Sequence, residues 1–482
     1  MITSTRLPQF LSFCLALVLA ASCAKNPVTG KRQLAISEEK EIEMGAAYDP
    51  QIVATMGVYE DAELQALINR LGQEMAVESH RPKLNWTFRI VDSDVVNAFA
   101  VPGGYVYFTR GILAHFNNEA EFAGVLGHEI GHVTARHTAA SMRRQQLAQV
   151  GMIAGALASN TVRQNFDAVS QGMQLLMLKY GRDAESQSDR LGVEYSPQLG
   201  YDANYMAGFF KTIGRLQDQA GVDIPSFLST HPDPANREQN VKRLANEWAE
   251  KLPGAQDKVN RDGYLRMIDG IIYGEDPKQG YVENGVFYHP VLKFQFRVPN
   301  GFRLANSPQA VQMQSEQGDA AVIFTLAQGE TPEAAARAWA QQNQLQPQRG
   351  GATTVNGMSA YELSGRAGDG QQSPLIDYAA TFISYGGNIY NFTTIAAAQR
   401  SGAYANALAA TVQSFDELND PQYLNRQPER VRVKQVGGAT TLQAFLQQNG
   451  TPADRMNELA ILNGMELGAQ LPSGTLVKTV SR

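Results

Sequence analysis

Seven histidines occur in 482 residues, and two of them stand four apart around a glutamate, in His128-Glu129-Ile130-Gly131-His132. On a helix, positions four apart project from nearly the same face, so both imidazoles can reach one divalent ion at about 2.0–2.1 Å. Glu129, next to the first histidine, is not aimed at the ion. It stands where it can hydrogen-bond a metal-bound water and accept its proton, the general-base role. The ion in turn lowers the pKa of that water toward neutrality. A bare His-Glu-x-x-His occurs by chance in many helices, so the third ligand decides the reading.

A catalytic zinc takes three protein ligands and keeps one position open. A third histidine ten residues after the first is excluded, because that position is Thr138 and Ala135 stands where such a motif has glycine. The other solution is a glutamate on a second helix, and Gly181-Arg182-Asp183-Ala184-Glu185-Ser186-Gln187-Ser188-Asp189 supplies one. Glu185 and Asp189 are again four apart and share a face. With Glu185 on the metal, Asp189 can accept a hydrogen bond from a ligand histidine and fix its tautomer and ring orientation. His137, expected on another helical face from His132, reads as structural or solvated, and His80, His115 and His289 take the same reading.

The elements that must position these residues are legible from periodicity. Ser37 followed by Glu38, Glu39 and Glu41 offers a helix N-cap with early acids. Leu64, Leu67, Ile68 and Leu71 recur at helical spacing, and residues 86–91 then alternate as a strand does. The run Asn97-Ala98-Phe99-Ala100-Val101-Pro102-Gly103-Gly104-Tyr105-Val106-Tyr107-Phe108-Thr109 reads as two β segments hinged at Pro-Gly-Gly. Residues 119–137 form a helix by pattern, with Phe122, Val125, Leu126, Ile130 and Val133 as its apolar stripe. Helical character continues to about residue 216, broken near Gly200-Tyr201-Asp202, and the short apolar piece 150–158 reads as core or as a cover over the site.

Composition bounds the rest. A length of 482 residues exceeds what one core serves, so two or three domains are expected. An apolar share of 43%, a charged share of 18% and a net charge of −6 describe an ordinary globular chain with no basic patch for nucleic acid. Arg6, the apolar run 10–21 and Ser22-Cys23-Ala24 have the layout of a secretory signal. Cys14 lies within that run, which leaves Cys23 as the one cysteine of the mature chain and excludes a disulfide framework. Cys23 after Ala20-Ala21-Ser22 resembles a bacterial lipobox. That resemblance implies acylation of Cys23 and, with Ala24 following, anchoring to the outer membrane as a lipoprotein facing the periplasm.

After about residue 253 strand-like pieces appear. Asn356-Gly357 and Gly386-Gly387 sit between alternating runs as hairpin turns, helices are expected over 332–342 and 402–414, and the aromatic strands around Phe294 and Tyr390 read as sheet core. The last fifty residues run strand, helix, helix, strand. With Thr441-Leu442, Leu462-Asn463-Gly464 and Leu471-Pro472-Ser473-Gly474-Thr475-Leu476 they resemble a LysM domain, which implies a module able to bind peptidoglycan, although Gly438-Ala439-Thr440 departs from the usual opening.

Four pieces together carry a closer resemblance: residues 97–104, the His128 to His132 segment, Glu185 with Asp189, and His231-Pro232 with Arg237. Over residues 37–250 the chain resembles metallopeptidase family forty-eight, the HtpX and CAAX-prenyl-protease relatives, and most of all its secreted BepA-like members. The resemblance implies one zinc ion per chain held by His128, His132 and Glu185, with Glu129 as catalytic base. It also implies that His231 occupies the fourth position at rest, or swings aside to stabilise an oxyanion, and that Arg237 pairs with a carboxylate near the site. On this reading Asn97, Ala98, Phe99 and Ala100 form an edge strand that pairs with an extended substrate backbone.

The expected architecture is multidomain α+β: residues 1–22 a signal peptide, 23–36 a tether, and 37–255 a mainly helical gluzincin domain with a small sheet. Residues 256–425 follow as an α+β domain and 428–482 as the βααβ LysM-like module. The expected function is a zinc endopeptidase acting on unfolded or misassembled envelope proteins. Two other readings stand beside it: a zinc-bearing chaperone or assembly factor of the outer membrane, and a peptidoglycan-associated hydrolase.

Overall fold

The computed structural model describes residues 23–143, 180–220, 227, 230–231, 234–252, 257–368 and 374–482. The signal segment 1–22 and the apolar piece 150–158 lie outside the described residues. Among the described residues no helix is long and apolar enough to cross a membrane.

The expected tether is instead a packed ribbon. Cys23–Lys25 and Arg32–Leu34 pair antiparallel. Asn26 and Gln33 each donate a side-chain hydrogen bond to the Ala135 carbonyl, at 3.1 and 3.0 Å. Ala35 and Ile36 are buried against Ala139 and Ala140. Small apolar residues and two side-chain amides suffice to dock this segment, where a reading of polar and turn residues suggests a free linker.

Helix Glu38–Met56 starts at Ser37, whose hydroxyl accepts from the Lys40 amide, and helix Ala62–Glu78 is capped by Asp61. The second helix buries Leu64, Leu67, Ile68 and Leu71 in the core that also holds Phe88 and Ile90. Its neighbouring sheet has the order Thr87–Val91, Tyr105–Thr109, Ala98–Val101; the first pair is parallel and the second antiparallel. Gly103, at φ 86°, makes the hinge between the last two strands, and a Cβ there would meet the Glu41 carbonyl at 2.8 Å.

A short helix, Arg110–His115, then leads to Asn118, whose side chain accepts from the Glu121 amide and starts the motif helix Glu119–Thr134. All sixteen residues of that helix are buried. It is flanked by Arg182–Gln198 and Asn204–Ala220, the two helices expected on either side of Gly200. Gly192 lies so close to the motif helix that a Cβ would stand 2.9 Å from the Gly124 carbonyl. Glycine at this crossing lets the two helices approach until their polar side chains share one site.

The accessory region is a seven-stranded antiparallel sheet in the order Phe302–Asn306, Ala310–Ser315, Ala320–Ala327, Asn388–Ala397, Ile376–Tyr385, Met358–Ala367, Arg349–Val355. Helices Pro332–Gln342 and Ser401–Gln413 pack on it. Both Gly-containing pairs turn hairpins at positive φ, as their residue types require. Phe294, Phe296, Phe324, Tyr390 and Phe392 form its buried core, in line with the sequence reading.

The C-terminal segment follows the expected order, with strands Glu429–Gln435 and Leu476–Ser481 paired antiparallel around helices Leu442–Gln448 and Met456–Leu462. Ile272–Tyr273 adds a third strand to it. Its apolar residues do not form a separate core. Val431, Leu442, Leu446, Leu459 and Val477 belong to the same cluster as Leu113, Phe116, Phe122 and Phe209 of the helical unit, and Tyr264, Leu265, Ile268 and Ile271 join it. The composition change near residue 253 therefore precedes the change of core, which comes after Ile271. Lys478, fully buried, donates to the carbonyls of Ala114 and Phe116 at 2.9 and 3.0 Å, tying the terminal strand to the entry of the motif helix.

Candidate metal centre

The motif helix and Arg182–Gln198 bring His128, His132 and Glu185 together, and His231 completes a buried group of four whose donor atoms all lie within 4.8 Å of one another. His128 Nε2 and His132 Nε2 are 3.0 Å apart, and His231 Nδ1 is 3.4 Å from His128 Nε2. Glu185 Oε1 lies 3.4 Å from His132 Nε2 and 3.0 Å from His231 Nδ1, and its Oε2 is 3.7 Å from His128 Nε2. Donors about 2.0–2.1 Å from one tetrahedral ion stand roughly 3.3–3.4 Å from each other, so the set has the size of a zinc tetrahedron. Without a cation, two imidazole nitrogens would face each other at this distance inside the protein with a single proton to share. The residues present fit the group.

The outer nitrogens are fixed by protein. His128 Nδ1 lies 3.0 Å from Asp189 Oδ1, so Nδ1 carries the proton and Nε2 is the free donor. Asp189 is also held by Arg237, whose Nε donates to Oδ2 at 2.9 Å and Nη2 to Oδ1 at 2.6 Å. Arg237 Nη1 also stands 3.0 Å from Glu185 Oε2. Arg237 is thus a shared clamp on both acids of the second helix, and the face of Phe210 stacks under its guanidinium at 4.1 Å.

Burial governs the charges. It lowers the His128 imidazolium pKa to about 4, aided by Arg237, and holds that of His132 well below its usual range, so both are neutral ligands at pH 7. Burial alone would raise the Glu185 carboxyl, but His231 and Arg237 overcome it and keep the group ionised. Glu129 is the exception. Burial pushes its carboxyl up to about 7 against the pull of His231. Among the described residues both its oxygens are buried without a hydrogen-bond partner, as is His231 Nε2, which lies 3.5 Å from Glu129 Oε1. A buried carboxyl left without partners is costly unless something polar enters beside it.

Asn97, Ala98, Phe99 and Ala100 lie where an edge strand was expected, but not as an open edge. All four are buried. The Phe227 amide donates to the Val96 carbonyl at 3.0 Å, and the Thr138 and Tyr180 hydroxyls approach the Ala100 carbonyl at 3.4 and 3.5 Å. Phe227, four residues before His231, is thus hydrogen-bonded just ahead of this strand.

Sequence reasoning missed three neighbours. Tyr180 stacks on His132 with ring centres 3.9 Å apart, and Phe227 stacks on His231 at 4.6 Å. The third is His137, expected on another face of a continuous helix. The motif helix ends at Thr134, Arg136 takes a left-handed φ of 61°, and a new helical turn begins at His137. The solvated reading is overturned: His137 is buried with Nδ1 3.0 Å from His132 Nδ1. His80, His115 and His289 lie outside the group of four.

Residues 62–245, which include every donor of this group, match Peptidase family M48. The beta-barrel assembly-enhancing protease of Yersinia pestis is 31% identical over 251 residues, 50% of each chain. That of Escherichia coli strain K12 is 30% identical over 222 residues, 44% of this chain and 45% of its own. The mitochondrial metalloendopeptidase OMA1 of Arabidopsis thaliana is 29% identical over 201 residues, 40% of this chain and 39% of its own. The chain spans about half the length, or less, of these relatives. Over residues 62–245 the chain is thus similar to Peptidase family M48.

Proposed function

We propose that the chain is a zinc-dependent endopeptidase of the cell envelope that cleaves unfolded or misassembled proteins. The observation that carries this reading is the convergence of His128, His132 and Glu185 beside Glu129, a buried carboxyl with no hydrogen-bond partner among the described residues. When bound, zinc would supply Lewis acidity to a substrate carbonyl and acidity to a water. The rest falls to the chain. Glu129, with its carboxyl near 7, takes a proton from the attacking water and returns it to the departing amine. Asp189 and Arg237 keep His128 in the tautomer that leaves Nε2 free. His231 gates the centre: its Nδ1 sits among the donor atoms, and it must leave before water and substrate enter.

Backbone pairing along Ala98–Val101 would favour extended, unfolded substrates. The name of the two bacterial relatives, beta-barrel assembly-enhancing protease, supports a misassembled envelope protein as the substrate class. The layout of residues 6–24 supports export and a lipid anchor at Cys23. Glu129→Gln tests the mechanism. The variant should still bind one zinc per chain while casein cleavage falls by about 10²–10⁴; cleavage at the wild-type rate would refute the base assignment.

The closed position of His231 favours a second reading, a zinc-bearing assembly factor in which proteolysis is minor. His231→Ala separates the two, since an opened endopeptidase gains casein cleavage and an assembly factor does not. Peptidoglycan binding by the terminal module has less support, because the loop after its second helix packs on the helical unit, with Arg215 Nη1 donating to the Met465 carbonyl at 2.8 Å.

A further inference from the structure

We propose that His137 is a positioning residue that sets the tautomer and ring plane of His132, and that Glu41 holds it in place through Arg136; the inference rests on the zinc reading above. His132 turns Nε2 toward the donor group, 3.0 Å from His128 Nε2 and 3.4 Å from Glu185 Oε1, so its proton belongs on Nδ1. The atom facing that proton is His137 Nδ1, at 3.0 Å, which must therefore accept. His137 then carries its own proton on Nε2, which lies 2.9 Å from Gln187 Oε1, an acceptor on the same helix as Glu185. Ser188 Oγ, also on that helix, stands 3.2 Å from His137 Nδ1. The bonds run in one direction, from His132 to His137 to Gln187, and fix both tautomers. His132 thereby receives from His137 what His128 receives from Asp189.

The backbone that aims His137 is strained and braced. Arg136 at φ 61° occupies the left-handed region, which is unfavourable for a residue with a Cβ. Its guanidinium is anchored on both sides, Nε donating to Glu41 Oε1 at 2.5 Å and Nη2 to the Ile36 carbonyl at 2.6 Å. Glu41 belongs to the first long helix, far from the site in sequence, and also receives Arg81 Nη1 at 2.8 Å. Arg81 Nη1 reaches the Val133 carbonyl at 3.1 Å, near the end of the motif helix. The N-terminal segment thus fixes the turn that aims His137 at His132.

The test measures zinc affinity of the full chain by competition with a chromogenic chelator, alongside thermal unfolding of the metal-free protein. His137→Leu removes the acceptor and should weaken zinc binding about tenfold to a hundredfold. His137→Asn, whose amide oxygen stands where Nδ1 stood, should bind close to wild type. Arg136→Gly and Arg136→Ala both remove the guanidinium that Glu41 holds and should both weaken zinc binding, Arg136→Gly less because glycine takes the positive φ at no steric cost. Wild-type affinity in His137→Leu, or an equal fall in His137→Leu and His137→Asn, would overturn the assignment. So would an Arg136→Gly variant as weak as Arg136→Ala, a comparison that stands even where the His137 variants fold poorly. A wild-type chain that binds no zinc overturns the zinc reading as a whole, whereas tight wild-type binding with an unaffected His137→Leu overturns this inference alone.

Discussion

Glu41 is one carboxylate serving two buried arginines. It is 1% exposed, and Arg81 and Arg136 are 6% exposed each. Among the described residues, Glu41→Ala would leave Arg136 facing the Ile36 carbonyl, and Arg81 the Val133 carbonyl and the exposed Glu38 at 3.5 Å. Breaking a buried ion pair by removing one partner costs about 3–5 kcal/mol, and the shared carboxylate places this site toward the upper end. For a cooperative unit of about 150–250 residues each kcal/mol lowers the melting temperature by roughly 2–4 °C, so the expected fall is about 6–20 °C. Calorimetry of the chain in chelator would measure it. Because the accessory sheet has its own core, its transition should stay where it is. Glu41→Gln keeps the shape and one acceptor and should fall by roughly half as much. Arg337→Ala, which breaks an exposed pair with Glu333, should change stability by under about 1 kcal/mol. A drop below about 2 °C in Glu41→Ala, or a drop confined to the accessory transition, would refute the clamp.

Two further expectations follow from burial. His115 is buried, its Nδ1 2.8 Å from the Gly111 carbonyl, and burial lowers its pKa from 6.5 to about 4. Below pH 6.5 the unfolded chain takes up this proton while the fold refuses it, so stability present at neutral pH is lost as pH falls toward 4, by roughly 3 kcal/mol. His115→Asn, which retains a donor for Gly111, should flatten the urea midpoint between pH 7 and 4.5, and an unchanged slope would refute the attribution. Deleting residues 428–482 removes Val431, Leu442, Leu446, Leu459 and Val477 from the shared core. At about 1.5–3 kcal/mol for each large side chain, the loss rivals the whole stability of a domain. The truncated chain should therefore neither bind zinc nor cleave casein, while the accessory region still melts cooperatively. Wild-type activity in that truncation would show the terminal module to be dispensable.

The convergence of His128, His132 and Glu185 was legible because helical spacing is a strong rule: residues four apart share a face, and two such pairs on two helices define four inward side chains. Hairpins at Asn356-Gly357 and Gly386-Gly387 were legible for the same reason, since those residues take positive φ where others do not. Arg136 hid its neighbour. Nothing in Thr134-Ala135-Arg136-His137 marks a left-handed break, because the residue that makes the turn is an arginine held by a glutamate about a hundred positions earlier. The ribbon at 23–34 and the shared core of the terminal module were hidden likewise. Periodicity reports which face of a segment is apolar and is silent on which distant segment covers it.

The bonds from Lys478 to Ala114 and Phe116 span 364 and 362 positions of sequence. A chain synthesised from its N-terminus has made its histidine motif long before the strand that seals the motif's entry is available. Contacts of such long range form late and slowly. On the proposed reading, hydrolytic competence should therefore arrive with the last strand, and a half-emerged chain would carry His128, Glu129 and His132 without the packed site they need.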